Sequence, residues 1–110
     1  MESKWEYRLT QKANADLENI VGYIAVELAN PKAASDFVDK LQEAVEEACL
    51  FSESGSLVVN ELAPGTKVRK KLIDNYIMYY VPDFAEKKIF VLRIVYGKRN
   101  MEEILRQLNI

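Results

Sequence analysis

The 110-residue chain contains no histidine. That removes the commonest metal ligand and the side chain that most often acts as a general base near neutral pH. A zinc site and a Ser-His-Asp triad are excluded with it, so any catalysis falls to Lys, Arg, Tyr, Asp or Glu. A single cysteine, Cys49, rules out a disulfide within the chain. It falls on the apolar side of a predicted helix and reads as a small buried hydrophobe rather than a reactive thiol. Glycine and proline are scarce, at four and three, and neither a glycine-rich phosphate loop nor a low-complexity linker is present. No apolar run reaches the roughly 18 residues a membrane span needs, so no membrane partner is expected. The opening Met1-Glu2-Ser3-Lys4-Trp5 has no apolar stretch behind its charges, unlike a signal peptide. A cytoplasmic location is the expectation, with no metal and no cofactor.

What is present is an ordinary globular mixture, 49% hydrophobic and 29% charged, in a length that suits one domain. The net charge of −2 conceals an asymmetry. Residues 1–62 carry 5 basic and 12 acidic side chains, and residues 63–110 carry 10 basic and 5 acidic ones, balances of −7 and +5. Binding responds to the local field rather than the total, so the basic half is a candidate for an anionic partner.

Trp5, Tyr7 and Leu9 alternate with Glu6, Arg8 and Thr10, the pattern of a half-buried strand. Leu17, Ile20, Val21, Ile24 and Leu28 then recur at helical spacing, predicting a helix that ends near Ala29. Gly22 within it suggests close packing of a neighbour. Asn30-Pro31 reads as an N-cap followed by proline at the first helical position. The second helix runs to about Phe51, with Ala34, Phe37, Val38, Leu41, Ala44, Val45, Ala48 and Phe51 as its apolar stripe. The short link makes the two helices an antiparallel hairpin. Leu57-Val58-Val59 begins a strand, and Ala63-Pro64-Gly65 is a turn. Extended segments follow at 68–73, 76–81 and 88–96. Asp74-Asn75 and residues 82–87 connect them, so they should be antiparallel neighbours. Residues 101–108 predict a short C-terminal helix. The expected class is α+β: an N-terminal strand, a helix hairpin packed on a twisted antiparallel sheet of about four strands, and a terminal helix. The sheet face away from the helices is then either solvated or a binding surface.

The residues that could carry chemistry lie on the sheet. Lys67, Arg69, Lys70 and Lys71 surround the start of one strand, Arg93 interrupts the most apolar strand, and Lys98 and Arg99 follow it. Arg69 and Lys71 share one face and Lys70 takes the other. Brought together, these cations would suit a phosphate backbone, with Tyr76, Tyr79, Tyr80 and Tyr96 as stacking surfaces for unpaired bases. Equally, lysines at strand ends guard against edge pairing, and tyrosines pack well in strands. Arg93 must be paired or part of a site, because an arginine in an apolar strand is costly otherwise. A helix carboxylate would be its structural partner.

Over about 100 residues the chain resembles the RelE/ParE superfamily of bacterial type II toxins. The resemblance runs from Ala15-Asp16-Leu17-Glu18-Asn19-Ile20 and Tyr23-Ile24 through Asn30-Pro31, Ala33-Ala34 and Phe37. It continues in Val68-Arg69, Tyr76-Ile77-Met78-Tyr79-Tyr80 and Ile89-Phe90-Val91-Leu92-Arg93-Ile94, and ends in Tyr96-Gly97-Lys98-Arg99-Asn100. It implies one toxin domain over residues 1–110 and a cognate antitoxin partner. Two activities are implied by its two branches. A RelE-like toxin cleaves mRNA on the ribosome by metal-independent attack of the ribose 2′-OH on the scissile phosphate. A ParE-like toxin inhibits DNA gyrase without nuclease chemistry. By resemblance Arg69, Lys71 and Arg99 match catalytic positions, Lys71 as base and the arginines as phosphate stabilisers. Lys67, Lys70, Arg93, Tyr96, Lys98 and Tyr80 would contact RNA. Ile77 stands where RelE-like nucleases carry an arginine, and Leu105 near an expected functional tyrosine. The basic, tyrosine-bearing sheet favours mRNA cleavage. Gyrase inhibition is the alternative, and a degenerate member that only binds its antitoxin is the second.

Overall fold

The computed structural model describes residues 5–58 and 67–97. The alternating opening segment forms β1, Glu6–Leu9. Thr10 ends it and starts the first helix: its Oγ1 accepts from the Ala13 amide at 3.1 Å and donates to the Leu92 carbonyl at 3.0 Å. One hydroxyl thus satisfies a free helix N–H and ties the helix start to a distant strand.

Helix α1, Gln11–Gly22, is shorter than its apolar stripe predicts. From Tyr23 to Glu27 the backbone widens into a π-helical turn, with the Leu28 amide donating to the Tyr23 carbonyl at 3.0 Å. Gly22 sits at the transition, and a Cβ there would meet nothing within 4 Å. It is therefore not a close-packing glycine. Its backbone stays in the ordinary right-handed helical region, at φ −61° and ψ −43°, where the helix changes pitch. Ala29, at φ 49°, terminates the segment. Asn30 then accepts from the Ala33 amide at 3.0 Å and caps α2, Pro31–Leu50, whose Pro31 opens the first turn as expected. Ala34, Phe37, Leu41, Val45 and Ala48 are buried along one stripe of α2.

The remaining strands are β2, Ser56–Leu57, β3, Arg69–Ile73, β4, Tyr76–Asp83, and β5, Lys88–Tyr96. They form a five-stranded sheet in the order β1-β5-β4-β3-β2. The pairs β2–β3, β3–β4 and β4–β5 are antiparallel, as the short connections at 74–75 and 84–87 require of the last two. The sequence predicts about four antiparallel strands and an N-terminal strand; the sheet has five and is mixed, because β1 joins its edge parallel to β5. A parallel neighbour needs a long crossover, and the whole helix hairpin lies between these two strands in sequence. β4 also extends through Pro82, which faces Ile89; residues 82–83 were expected in the turn. β3 stops at Arg69 opposite Tyr80, so Pro82 has no β3 neighbour and its missing N–H is tolerated there. Asp74, at φ 54°, makes the β3–β4 turn, and Lys40 of α2 reaches it at 2.8 Å.

Both helices cover one face of the sheet. There Ala13, Ile20, Phe37, Leu41, Val45, Ala48, Ile73, Met78, Tyr80, Ile89, Val91 and Ile94 form the main core, with Cys49 packed against it. Burial is the chief reason the Cys49 thiol pKa is raised, with Glu46 adding to it, in line with the inert role read from the sequence. The opposite face is not simply solvated. Val58, Val68, Ile77, Tyr79 and Val95 form a second buried cluster there, and burial raises the Tyr79 pKa. No helix among the described residues is long and apolar enough to cross a membrane. The predicted 101–108 helix, and with it Leu105, lies outside the described residues, as does the 63–65 turn.

A basic strand clasped by carboxylates

Strand alternation puts Arg69, Lys71 and Ile73 on the same face of β3, and Ile73 belongs to the helix-side core. Arg69 and Lys71 therefore point toward α2 and the segment that follows it. Lys71 Nζ contacts the Glu47 carboxylate, the Ser54 hydroxyl at 3.1 Å and the Ala44 carbonyl at 3.5 Å. Arg69 donates to the Gly55 carbonyl at 2.7 Å, the Glu53 carbonyl at 3.3 Å and the Glu53 carboxylate at 2.9 Å.

Tyr80 is the third anchor of this segment. It faces Arg69 across β3–β4 and is fully buried. Its hydroxyl donates to the Ser52 carbonyl at 3.1 Å and accepts from the Gly55 amide at 2.9 Å. The fit is close enough to require glycine at 55. A Cβ there would stand 2.7 Å from the Lys70 carbonyl oxygen and 2.8 Å from the Tyr80 hydroxyl. The expected stacking role of Tyr80 is accordingly corrected: its ring is enclosed and its hydroxyl is used inside the fold. Tyr79 is also buried. Tyr96 is half-exposed and meets Tyr76 edge to face, with ring centroids 5.8 Å apart. Tyr76 in turn packs on Phe37 at 5.1 Å; burial, and then the nearby Tyr23 and Tyr96, raise its pKa.

The predicted cations divide between two places. Lys67, Arg69, Lys70 and Lys71 lie at one end of β3. A groove of about 360 Å³ there is lined by Ser54, Gly55, Ser56, Lys70, Lys71 and Leu72. A neighbouring hollow of about 250 Å³ includes Lys67 and Arg69. Arg93 is elsewhere, against α1. Its Nε donates to Asp16 Oδ2 at 2.8 Å and its Nη2 to Oδ1 at 3.2 Å. Asp16 Oδ2 also accepts from the Ile94 amide at 3.0 Å. β1 ends opposite Val91, so Asp16 supplies the acceptor that a strand would have supplied further along β5. The β4–β5 register shifts between Tyr79 and Tyr80 at this level, an irregularity of the kind that re-aims side chains. Arg93 thus has the helix carboxylate partner that was its structural reading. Lys98 and Arg99 lie outside the described residues. Glu47, Glu53, Asp16 and Gly55 carry no sequence signal as partners, because nothing in their spacing links them to residues 69–80 or 93.

A family model described as the ParE toxin of the type II toxin–antitoxin system parDE matches residues 7–101. The chain belongs to the ParE toxin family. Two solved structures share this toxin fold. One is described as the chromosomal ParDE toxin–antitoxin system from P. aeruginosa, with 24% identity and a TM-score of 0.67, covering 88% of this chain and all of that one. The other is the RelBE2 toxin–antitoxin complex from Mycobacterium tuberculosis, with 18% identity and a TM-score of 0.58, covering 84% and 96%. No curated protein matches the chain. The family places the toxin within the RelE/ParE superfamily that its residue pattern resembles.

Proposed function

We propose that this ParE-family toxin acts by binding its target, DNA gyrase, rather than by cutting mRNA, and that a cognate antitoxin holds it in check. The observation that carries this reading is the engagement of Arg69 and Lys71. Cleavage through a 2′-OH needs a group to take a proton and free donors aimed at a phosphorane. Arg69 is committed to Glu53 and two carbonyls, and Lys71 to Glu47, Ser54 and Ala44. Ile77, at the position where an arginine marks the nuclease branch, is buried in the far-face cluster. The family match and the ParDE likeness support the same branch and the antitoxin pairing.

The deciding experiment compares two assays on the purified toxin freed of antitoxin. Inhibition of gyrase supercoiling with intact mRNA on translating ribosomes is the expected result. Cleaved mRNA, abolished by Arg69→Met with the fold retained, would restore the nuclease reading. Inactivity in both assays with antitoxin binding preserved would assign the chain to the degenerate class instead.

A further inference from the structure

Among the described residues β1 has β5 on one side and no strand on the other. The Glu6 amide donates to the Lys87 carbonyl, and the Thr10 amide to the Val91 carbonyl. Alternation along the strand then turns the backbone groups of Glu6 and Arg8 toward β5 and those of Tyr7 and Leu9 outward. An outward row of this kind is a template for a further strand. The side chains alternate as well. Trp5 and Leu9 pack against the helix-side core, which puts Tyr7 on that face and Glu6 and Arg8 on the other. Tyr7 is 43% exposed, and Glu6 and Arg8 are exposed too. Lys88 stands opposite Glu6, but its ammonium lies 3.6 Å from Glu86. Neither Glu6 nor Arg8 has an ion-pair partner among the described residues. Charged side chains commonly keep edge strands apart. Here the two charges are opposite and two residues apart, which a second copy of the same strand can match.

We propose that β1 is a homodimer interface, in which it pairs antiparallel with β1 of a second copy about a two-fold axis and the two sheets become one. A two-fold contact uses the same surface on both copies, so the strand must complement itself. Three registers let the outward groups of Tyr7 pair within a strand this short. Tyr7 opposite Tyr7 places Glu6 of each copy opposite Arg8 of the other. A shift of two residues one way sets Arg8 against Arg8, and the other way Glu6 against Glu6. Opposite charges across a pair of strands stabilise it, and like charges directly opposite destabilise it. The charge pattern therefore selects the first register. In it each Tyr7 exchanges both backbone hydrogen bonds with its counterpart. Glu6 and Arg8 fall at the non-hydrogen-bonded positions, where facing side chains come closest. Two ion pairs form on one face of the joined sheet, and the Tyr7 rings meet on the other. The inference does not depend on the toxin's target.

The test is sedimentation of the purified toxin over a concentration series reaching the millimolar range, with amide exchange followed by NMR. Self-association is expected, and exchange of the Tyr7 amide should slow as concentration rises. Glu6→Arg and Arg8→Glu each turn both cross-strand pairs into like charges, so each should weaken association by about tenfold or more. Combining Glu6→Arg with Arg8→Glu recreates opposite pairs and should restore association. An equimolar mixture of the two single variants should associate more tightly than either does alone. Tyr7→Pro removes the outward amide at an edge position where a strand accepts proline, and should abolish association in a folded chain. A toxin that stays monomeric throughout the series overturns the proposal. So does association that ignores both single charge variants, or a Tyr7 amide slowed only by added antitoxin, which would give the edge to that partner.

Discussion

The toxin holds its charged residues in two different ways on the two flanks of one sheet. On the β5 flank, Arg93 and Asp16 are both nearly enclosed, at 9% and 15% side-chain exposure, and Asp16 also takes the Ile94 amide. On the β3 flank, enclosed cations face carboxylates that stand mostly in water. The first arrangement is part of the fold. It completes the edge that β1 leaves short, and removing either charge takes a buried partner from the other. In the second, each cation also meets neutral oxygens: the Ala44 carbonyl and Ser54 hydroxyl for Lys71, and the Glu53 and Gly55 carbonyls for Arg69. The difference separates a pair enclosed on both sides from pairs whose carboxylates are open to solvent.

The largest effect should come from breaking the enclosed pair. Asp16→Ala leaves Arg93 without that carboxylate and the Ile94 amide without its acceptor. Removing one partner of a buried pair costs roughly 3–5 kcal/mol, so urea denaturation should show a large loss of stability. A loss below about 1 kcal/mol, the level of an exposed pair, would erase the contrast between the flanks.

Next in size is Gly55→Ala. Its Cβ would meet the Lys70 carbonyl at 2.7 Å and the Tyr80 ring at 2.9 Å. Backbone on one side and an enclosed ring on the other leave little room to yield, so overpacking should cost about 1–3 kcal/mol. Tyr80→Phe should follow at about 1–2 kcal/mol, by removing a partner from the Gly55 amide and the Ser52 carbonyl. The two substitutions disturb one contact, so their combined effect in denaturant should fall short of the sum. Additivity would mean that the Ser52–Gly55 segment is not clasped as a unit.

How much of this was legible in the sequence follows from what sequence patterns record. Helical spacing and the Asn30-Pro31 cap placed α2 closely, because each is a local signal. The charge count located the basic strand, and the resemblance located the family. Three features were out of reach. The parallel β1–β5 pair joins residues 6–9 to 88–91, and alternation does not record a strand's partner. Tyr80 looked like a surface for stacking, because its ring signals a strand and says nothing about which face is covered. The engagement of Arg69 and Lys71 depends on Glu53 and Glu47, which are 16 and 24 residues away. On their own helix and turn these glutamates read only as solvated charge. Arg93 is the intermediate case: its cost in an apolar strand demanded a partner, but only the fold could identify that partner as Asp16.

The smallest predicted stability change is the most informative about the β3 flank. Glu47→Gln keeps the side chain's size and removes its charge, and Lys71 retains the Ser54 hydroxyl and the Ala44 carbonyl. An exposed pair contributes about 0.2–1 kcal/mol, so the denaturation midpoint should move only slightly. Raising the salt concentration should shrink the difference further, because the carboxylate stands in screened solvent. Asp16→Ala should keep most of its cost under the same salt, since its partner is enclosed. If Glu47→Gln instead destabilised the toxin as much as Asp16→Ala and did so at every salt concentration, both flanks would be structural, and Lys71 would be locked to its carboxylate rather than lent to it.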